Sequence, residues 1–144
     1  MAVVGLGQAL AKTKAMADNI TNTKVPRALY AASTIGMAYT KMLTPVDTSN
    51  LINSMFRRIK TDTHGTRCVI GFTANYAMAV HNAKGTLKGQ PRRHFGKTKD
   101  GAEFGGGTGK GNYWDPDAEP KFLEKGFNLH RDEIDNAVRR ALKL

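Results

Sequence analysis

The sequence predicts helices near both ends of the chain and an antiparallel pair of strands between them, which are the elements of an α+β domain. Apolar residues recur every three or four positions in residues 6–43 and again after Pro120, a spacing typical of amphipathic helices. Between these regions, two short runs, residues 55–62 and 66–73, flank a glycine-containing turn and predict a hairpin. A long, basic, glycine-rich loop separates the hairpin from the last helix.

Composition limits the class of protein. The chain has 144 residues, 22 of them basic and 12 acidic, for a formal net charge of +10. We expect residues 1–144 to form one domain with a single core. The lone Cys68 and four widely separated histidines argue against a disulfide scaffold or a zinc module. No apolar run approaches the roughly 18–20 residues that span a bilayer, so we expect a soluble protein with no membrane partner.

The N-terminal third predicts two helices. The first covers residues 6–20, and the polar run 19–23 predicts a break after it. Pro26 suits the first turn of the second helix, and Thr44-Pro45 predicts its end, because the residue before a proline avoids helical geometry. The apolar stripe is Leu6, Leu10, Thr13, Ala17 and Ile20 in the first helix, and Val25, Leu29, Ala32, Ile35, Tyr39, Met42 and Leu43 in the second.

Residues 46–54 are rich in turn and capping side chains and predict a tight corner with about one helical turn. In the strand that follows the turn at residues 63–65, the side chains of Cys68, Ile70 and Phe72 are expected to share one face. The alternation of the preceding strand, residues 55–62, is poorer, which is typical of an edge strand or of a strand with two contacted faces.

Residues 83–111 contain nine glycines, seven basic residues and two acidic ones, a net charge of +5, and no apolar period. Such a segment cannot fold by burying its own side chains, so we expect it to be flexible. Two interpretations stay open: a loop that binds phosphates or an acidic protein surface, or a solvated loop without a partner. The candidate partner-binding residues are Lys84, Lys88, Arg92, Arg93, Lys97, Lys99 and Lys110.

After Pro120 the chain predicts one C-terminal helix, in which Gly126 marks either a kink or a close approach to another element. Its polar residues lie largely off the apolar stripe. The stripe residues are Leu123, Phe127, His130, Ile134, Val138 and Ala141.

Patterns for catalysis or cofactor binding are weak. The run 105–111 lacks the glycine and hydroxyl positions of a phosphate-binding loop, and Cys68 lies within a predicted strand. His81 is expected to be a surface or capping residue. The acids Asp115, Asp117 and Glu119 lack the glycine and the bidentate glutamate of a calcium loop. We expect no enzyme activity, no cofactor and no metal ion.

Three segments together resemble a known family, the head-tail joining or tail-completion proteins of the necks of tailed phages. Residues 44–54, TPVDTSNLINS, resemble the family corner (A/T)P-x-D-T-G-x-L-x-x-S. Residues 75–82, NYAMAVHN, resemble its Y-A-x-x-V-E-x-G segment, and residues 120–127, PKFLEKGF, are similar to its P-x-F-L-x-x-A helix opening. The matched positions are Pro45, Asp47, Thr48, Leu51 and Ser54 in the corner, and Tyr76, Ala77, Val80, Pro120, Phe122 and Leu123 as anchors. The chain departs from the pattern at Ser49, His81 and Gly126.

The resemblance implies an antiparallel sheet flanked by helices and a ring of six copies in the virion neck, assembled in the host cytoplasm. It also implies contacts with a connector or stopper on the head side and with a tail-terminator or tail-tube protein on the other. The basic loop could then face an adjoining protein or, non-specifically, the genomic DNA in the channel. The alternative function is that of a small basic nucleic-acid-binding protein, supported by the net charge and the basic loop alone.

Overall fold

The computed structural model describes residues 5–91, 96–97, 99–101, 103–104 and 112–143, with backbone alone for the two pairs 96–97 and 103–104. The described architecture mixes helix and sheet, as the sequence predicts. In chain order the main elements are a long N-terminal helical segment, a hairpin and two C-terminal helices.

The N-terminal segment is one continuous helical rod. Helix α1, Leu6–Asn19, continues through a π-helical turn, Ile20–Lys24, into helix α2, Val25–Leu43. The predicted break at residues 19–23 is therefore wrong. Pro26 explains the π turn, since proline lacks an N–H and its ring clashes with the carbonyl four residues earlier in a regular α-helix. The wider π turn relieves that clash without interrupting the rod.

The two halves of this rod differ in burial. No residue of α1 is buried, and Leu6 and Leu10 are 57% and 63% exposed, so the predicted stripe is uncovered by the described residues except at Ile20, which is half-buried. In α2 the buried positions are the small residues Ala28, Ser33, Gly36 and Thr40. Most of the predicted α2 stripe is half-buried around them, but Met42 is exposed and its placement on the stripe is wrong.

The corner and the hairpin form as predicted. Helix α2 ends at Leu43, Thr44 is extended before Pro45, and the single helical turn is α3, Asn50–Asn53. Strand β1, Met55–Asp62, pairs antiparallel with β2, Gly65–Phe72. Gly65 takes a φ of 124°, the left-handed region that a side chain would disfavour.

The two faces of the hairpin differ. Cys68, Ile70 and Phe72 are half-buried together with Arg57 and Ile59 across the register, which confirms the predicted inner face of β2. The opposite side, called here the outer hairpin face, comprises Phe56, Arg58, Lys60, Asp62, Arg67, Val69 and Gly71. This sheet has two strands in the described part of the chain, so each strand leaves one edge unpaired.

Beyond the hairpin lie helix α4, Ala77–Asn82, and a two-residue pairing of β3, Gly96–Lys97, with β4, Glu103–Phe104. The predicted single C-terminal helix is instead two helices, α5, Phe122–Asn128, and α6, Arg131–Leu142. The break falls at His130, where φ is −117° and ψ is 26° and where the imidazole ring stacks on Tyr39 with the ring centroids 3.2 Å apart. The predicted apolar stripe is half-buried along both helices.

Helix α2 lies between the hairpin and α6. The Arg57 guanidinium of β1 lies 3.7 Å from the ring centroid of Tyr30 and donates to Thr34 Oγ1 at 2.8 Å. Nine residues further on, about 2.5 helical turns, Tyr39 stacks on His130 and donates to Glu133 Oε2 of α6 at 2.8 Å. Half a turn of offset places the hairpin and α6 on opposite sides of α2.

Candidate assembly interface

The three segments that carry the family resemblance meet in one buried cluster. Leu51 of the corner, Ala77 of α4 and Phe122 of α5 are buried together, and Phe122 is fully inaccessible. The residues packed against them are Leu43, Phe72, Ala74, Val80 and Leu123. Segments far apart in the chain therefore share one small core.

Aromatic contacts orient the centre of this cluster. The Phe122 ring meets Phe72 edge to face at 5.4 Å between centroids and meets His81 in the same way at 5.0 Å. His81, predicted as a surface or capping residue, is half-buried, and its Nε2 atom has no hydrogen-bond partner among the described residues. Its carbonyl accepts the Lys121 N–H at 2.9 Å, which fixes the entry to α5.

Hydrogen bonds also join the motif segments. Asn50 Nδ2 donates to the hydroxyl of Tyr76 at 2.9 Å, linking the corner to α4. The Glu119 N–H donates to the Leu43 carbonyl at 2.9 Å, linking the end of α2 to the segment before α5. The Thr73 N–H donates to the Ser54 carbonyl at 2.9 Å, which closes the corner against the end of β2.

The corner itself turns on a left-handed residue. Ser49 has φ 61° and ψ 3° and precedes α3, and its carbonyl accepts the Asn53 N–H at 3.0 Å. This conformation favours glycine, the residue that the family pattern has at this position. Pro45 is buried in the corner, whereas Asp47 and Thr48 are exposed.

Asp115, in the loop before α5, holds the corner in place, a role that the sequence does not predict. Its Oδ2 accepts the Val46 N–H at 2.8 Å, and its Oδ1 accepts the Asp117 N–H at 3.0 Å. The spacing of Asp115 and Asp117 could have indicated the local turn, since aspartate often bonds the backbone two residues on. The bond to Val46 joins residues far apart in sequence and has no local signal. No cluster of three or more potential metal ligands occurs in the described ranges.

Glu119 fixes the start of the basic loop. Its carboxylate accepts Lys88 Nζ at 2.6 Å and Lys125 Nζ at 2.8 Å. Hydrogen bonds from Lys125 and Lys88 lower the pKa of Glu119 from 4.5 to about 2. Lys88 was predicted as a partner-binding residue, but its ammonium group is held within the chain.

The adjoining loop backbone is also packed. Ala83, Tyr113 and Ala118 form a second buried cluster, and the Gly89 N–H donates to the Trp114 carbonyl at 2.9 Å. Burial raises the pKa of Tyr113, with smaller contributions from the Glu119 and Asp115 carboxylates. Residues 83–91 therefore have a defined position against the segment that precedes α5.

The remaining loop residues are not brought together by the described structure. Lys84 and Lys99 are exposed, and Lys97 lies in β3, where the backbone alone is described. Arg92, Arg93 and Lys110 lie outside the described residues. The packed residues 83–91 differ from the flexible segment that the sequence predicts. The interpretation of residues 92–111 as a flexible loop that binds a partner stays a prediction.

The described motif residues pack against one another or form hydrogen bonds that fix the backbone. An open depression lined by Val46, Gln90, Trp114, Asp115 and Pro116 lies beside the corner, but both Asp115 oxygens there accept backbone N–H groups.

Within the described part of the chain, no helix combines the length and apolar character needed to cross a bilayer. The chain matches no protein-family model, no curated protein and no solved structure.

Proposed function

We propose that this chain is a structural protein of a tailed-phage neck, where a ring of copies, six by the resemblance, joins the DNA-filled head to the tail. The ring lies between a connector or stopper and a tail-terminator or tail-tube protein. The observation that carries the proposal is the shared core of Leu51, Ala77 and Phe122. This cluster takes one residue from each of the three segments that carry the resemblance, which is the arrangement expected of parts of one structural motif.

Uncovered apolar surface supports a role in assembly. Leu6, Leu10 and Met16 are exposed on α1, and no residue of that helix is buried. Helix α1 extends from the packed part of the rod without any buried residue, so its exposed apolar side chains offer a surface for a neighbouring protein. Both strands of the hairpin also leave an edge that an adjoining subunit could cover.

The competing function is non-specific nucleic-acid binding. Its structural support is the set of exposed basic side chains Arg58, Lys60 and Arg67 on the outer hairpin face. Binding of that kind weakens steeply with salt and needs no ring. Binding of DNA by a soluble monomer that is absent from virions would favour this function over the neck.

The experiment is a gene deletion in the virus that encodes the chain, with the unchanged chain supplied from a plasmid as the control. The neck function predicts filled heads and free tails without the gene, and joined particles when it is restored. Negative-stain images of the purified protein should show rings, and virions should contain a few copies per particle. Joined, infectious particles in the deletion would contradict the proposal.

A further inference from the structure

We propose that the ring contact is made by the outer hairpin face of one copy and the first turns of α6 of a second copy. The inference rests on the proposed ring function and names the surface and the partner. The second surface, called here the acidic patch, comprises Leu129, which precedes α6, and Asp132 and Asp135 in its first turns, followed on the same side of the helix by Arg139. A second copy of the chain is the occupant, because the two surfaces carry opposite charges in the same order.

The outer hairpin face is apolar at its base and basic further out. Phe56 lies over Gly71, where a β-carbon would meet its ring at 3.0 Å, and Val69 beside it is 47% exposed. Arg58 pairs across the strands with Val69, and Lys60 pairs with Arg67. Asp62, at the tip, forms an ion pair with Arg67.

The acidic patch has the matching order. Leu129 is 69% exposed, and Asp132 and Asp135 are exposed on α6. Spacings of three and four residues place Asp132, Asp135 and Arg139 on one side of the helix. The half-buried stripe of Ile134 and Val138 occupies the side that packs on the rest of the chain.

The two series are complementary along their lengths. From its base the hairpin runs from the apolar Phe56 to Arg58 and Lys60, which lie about 7 Å apart along the strand, and it ends at the Asp62–Arg67 ion pair. On the other surface, the exposed Leu129 precedes α6, and Asp132 and Asp135 follow on the helix about 5 Å apart along its axis. Long arginine and lysine side chains can bridge that difference in length.

The placement of the two surfaces favours a repeating contact. Tyr30 and Tyr39 hold the hairpin and α6 on opposite sides of α2, so the outer hairpin face of one copy cannot contact the acidic patch of the same copy. Each docked pair leaves one free hairpin and one free patch. Contacts of this head-to-tail kind continue in one sense and close into a ring when the rotation allows it.

Net charge gives a reason for this arrangement. Copies that each carry a charge of +10 repel one another, so self-association needs acids placed opposite bases. Glu133, between the two patch aspartates, already accepts a hydrogen bond from Tyr39 of its own chain. Asp132 and Asp135 are the neighbouring acids that project from α6 as exposed side chains.

Charge reversal tests the contact on the full-length protein by analytical ultracentrifugation. Arg58→Glu with Lys60→Glu, or Asp132→Lys with Asp135→Lys, should each lower the association constant by at least about tenfold. Mixing the two variants should restore assembly, because each then offers the surface that the other lacks. Lys12→Glu with Lys14→Glu, at positions off the apolar stripe of α1, changes the charge of the chain as the hairpin variant does and should leave the hairpin–patch association constant unchanged.

Cross-linking tests the same contact in purified protein and in virions. In a Cys68→Ser background, Val69→Cys with Leu129→Cys should give a ladder of covalent oligomers with a short bis-maleimide, whereas each single cysteine variant should stop at a dimer or below. If the charge-reversal variants still form rings as the unchanged chain does and the double cysteine variant gives no ladder, this inference is overturned and the neck function stands. A protein that is monomeric at every concentration and absent from virions would overturn both.

Discussion

Gly126 of α5 lies so close to Thr40 of α2 that a β-carbon at position 126 would sit 2.3 Å from Thr40 Oγ1 and 2.6 Å from the Thr40 nitrogen. The reverse relationship holds one turn earlier, where a β-carbon at Gly36 would sit 2.2 Å from Phe127 Cε1. Each helix therefore presents a glycine to the other, and the two backbones approach closely. This contact holds the C-terminal helices against the rod and positions Phe122 in the shared core.

Gly126→Ala should lower the free energy of unfolding by about 2–3 kcal/mol, because the methyl group meets the Thr40 backbone, which cannot rotate away. The matched control is Gly7→Ala in α1, where a β-carbon meets nothing within 4 Å. That change should be neutral or stabilise the chain by up to about 1 kcal/mol through helix propensity. Urea unfolding measures both. Equal effects of the two changes would contradict the close approach.

Ser49→Gly should stabilise the chain by about 0.5–1 kcal/mol, because Ser49 has a φ of 61° and glycine adopts that conformation without the Cβ penalty. Ser49→Ala, which keeps the β-carbon, is the control and should not stabilise. The measurement is the shift of the thermal midpoint. A destabilised glycine variant would mean that the Ser49 side chain contributes more than its backbone strain costs.

Asp115→Ala should lower the free energy of unfolding by about 1–2 kcal/mol, since the Val46 and Asp117 N–H groups lose their acceptor. Asp115→Asn keeps one side-chain acceptor and should lose less. Asp47→Ala, predicted from the sequence to cost about 1 kcal/mol, tests the aspartate that lies within the corner itself. If Asp115→Ala leaves hydrogen exchange of the Val46 amide unchanged, the bond does not hold the corner.

Glu119 should contribute to stability in a pH-dependent way. Its folded pKa of about 2 lies below the ordinary 4.5, so the stabilisation is present above pH 4.5 and is lost as the pH falls towards 2. In Glu119→Gln, the thermal midpoint should therefore fall less between pH 4.5 and pH 2 than it does in the unchanged chain. Glu124→Gln removes a carboxylate that lies 3.8 Å from Lys121 and serves as the control. If the thermal midpoint of Glu119→Gln falls with pH as steeply as that of the unchanged chain, the two lysine contacts do not have this role.

Neutralising Arg92 and Arg93 to glutamine tests the partner of the basic loop. If the loop docks on protein, which we favour because DNA in a conduit must slide, head-tail joining should fail and leave filled heads and free tails. If it faces DNA, joined particles should form with altered genome retention or ejection. Electron microscopy and titre distinguish these outcomes. Normal particles at normal titre would contradict both and leave the loop as a solvated insertion.

Local signals predicted most of the elements. The end of α2 before Pro45, the single turn of α3 and the alternation of β2 each depend on neighbouring residues, so they could be predicted within a few positions. The predicted break at residues 19–23 was wrong because turn-forming side chains alone do not end a helix when a π turn accommodates Pro26. The predicted single C-terminal helix was wrong because His130 stacks on Tyr39, a residue of another element.

The sequence by itself determined the kinds of element, their order and the charge of the loop, because helical and strand periodicity, proline geometry and charge are properties of neighbouring residues. Tertiary structure alone decided that Asp115 holds the corner at Val46 and that Glu119 binds Lys88 and Lys125. It also decided that Gly126 is a close approach to α2 rather than a kink. These outcomes depend on atoms brought within a few ångströms from distant parts of the chain, and that proximity exists only once the core has formed.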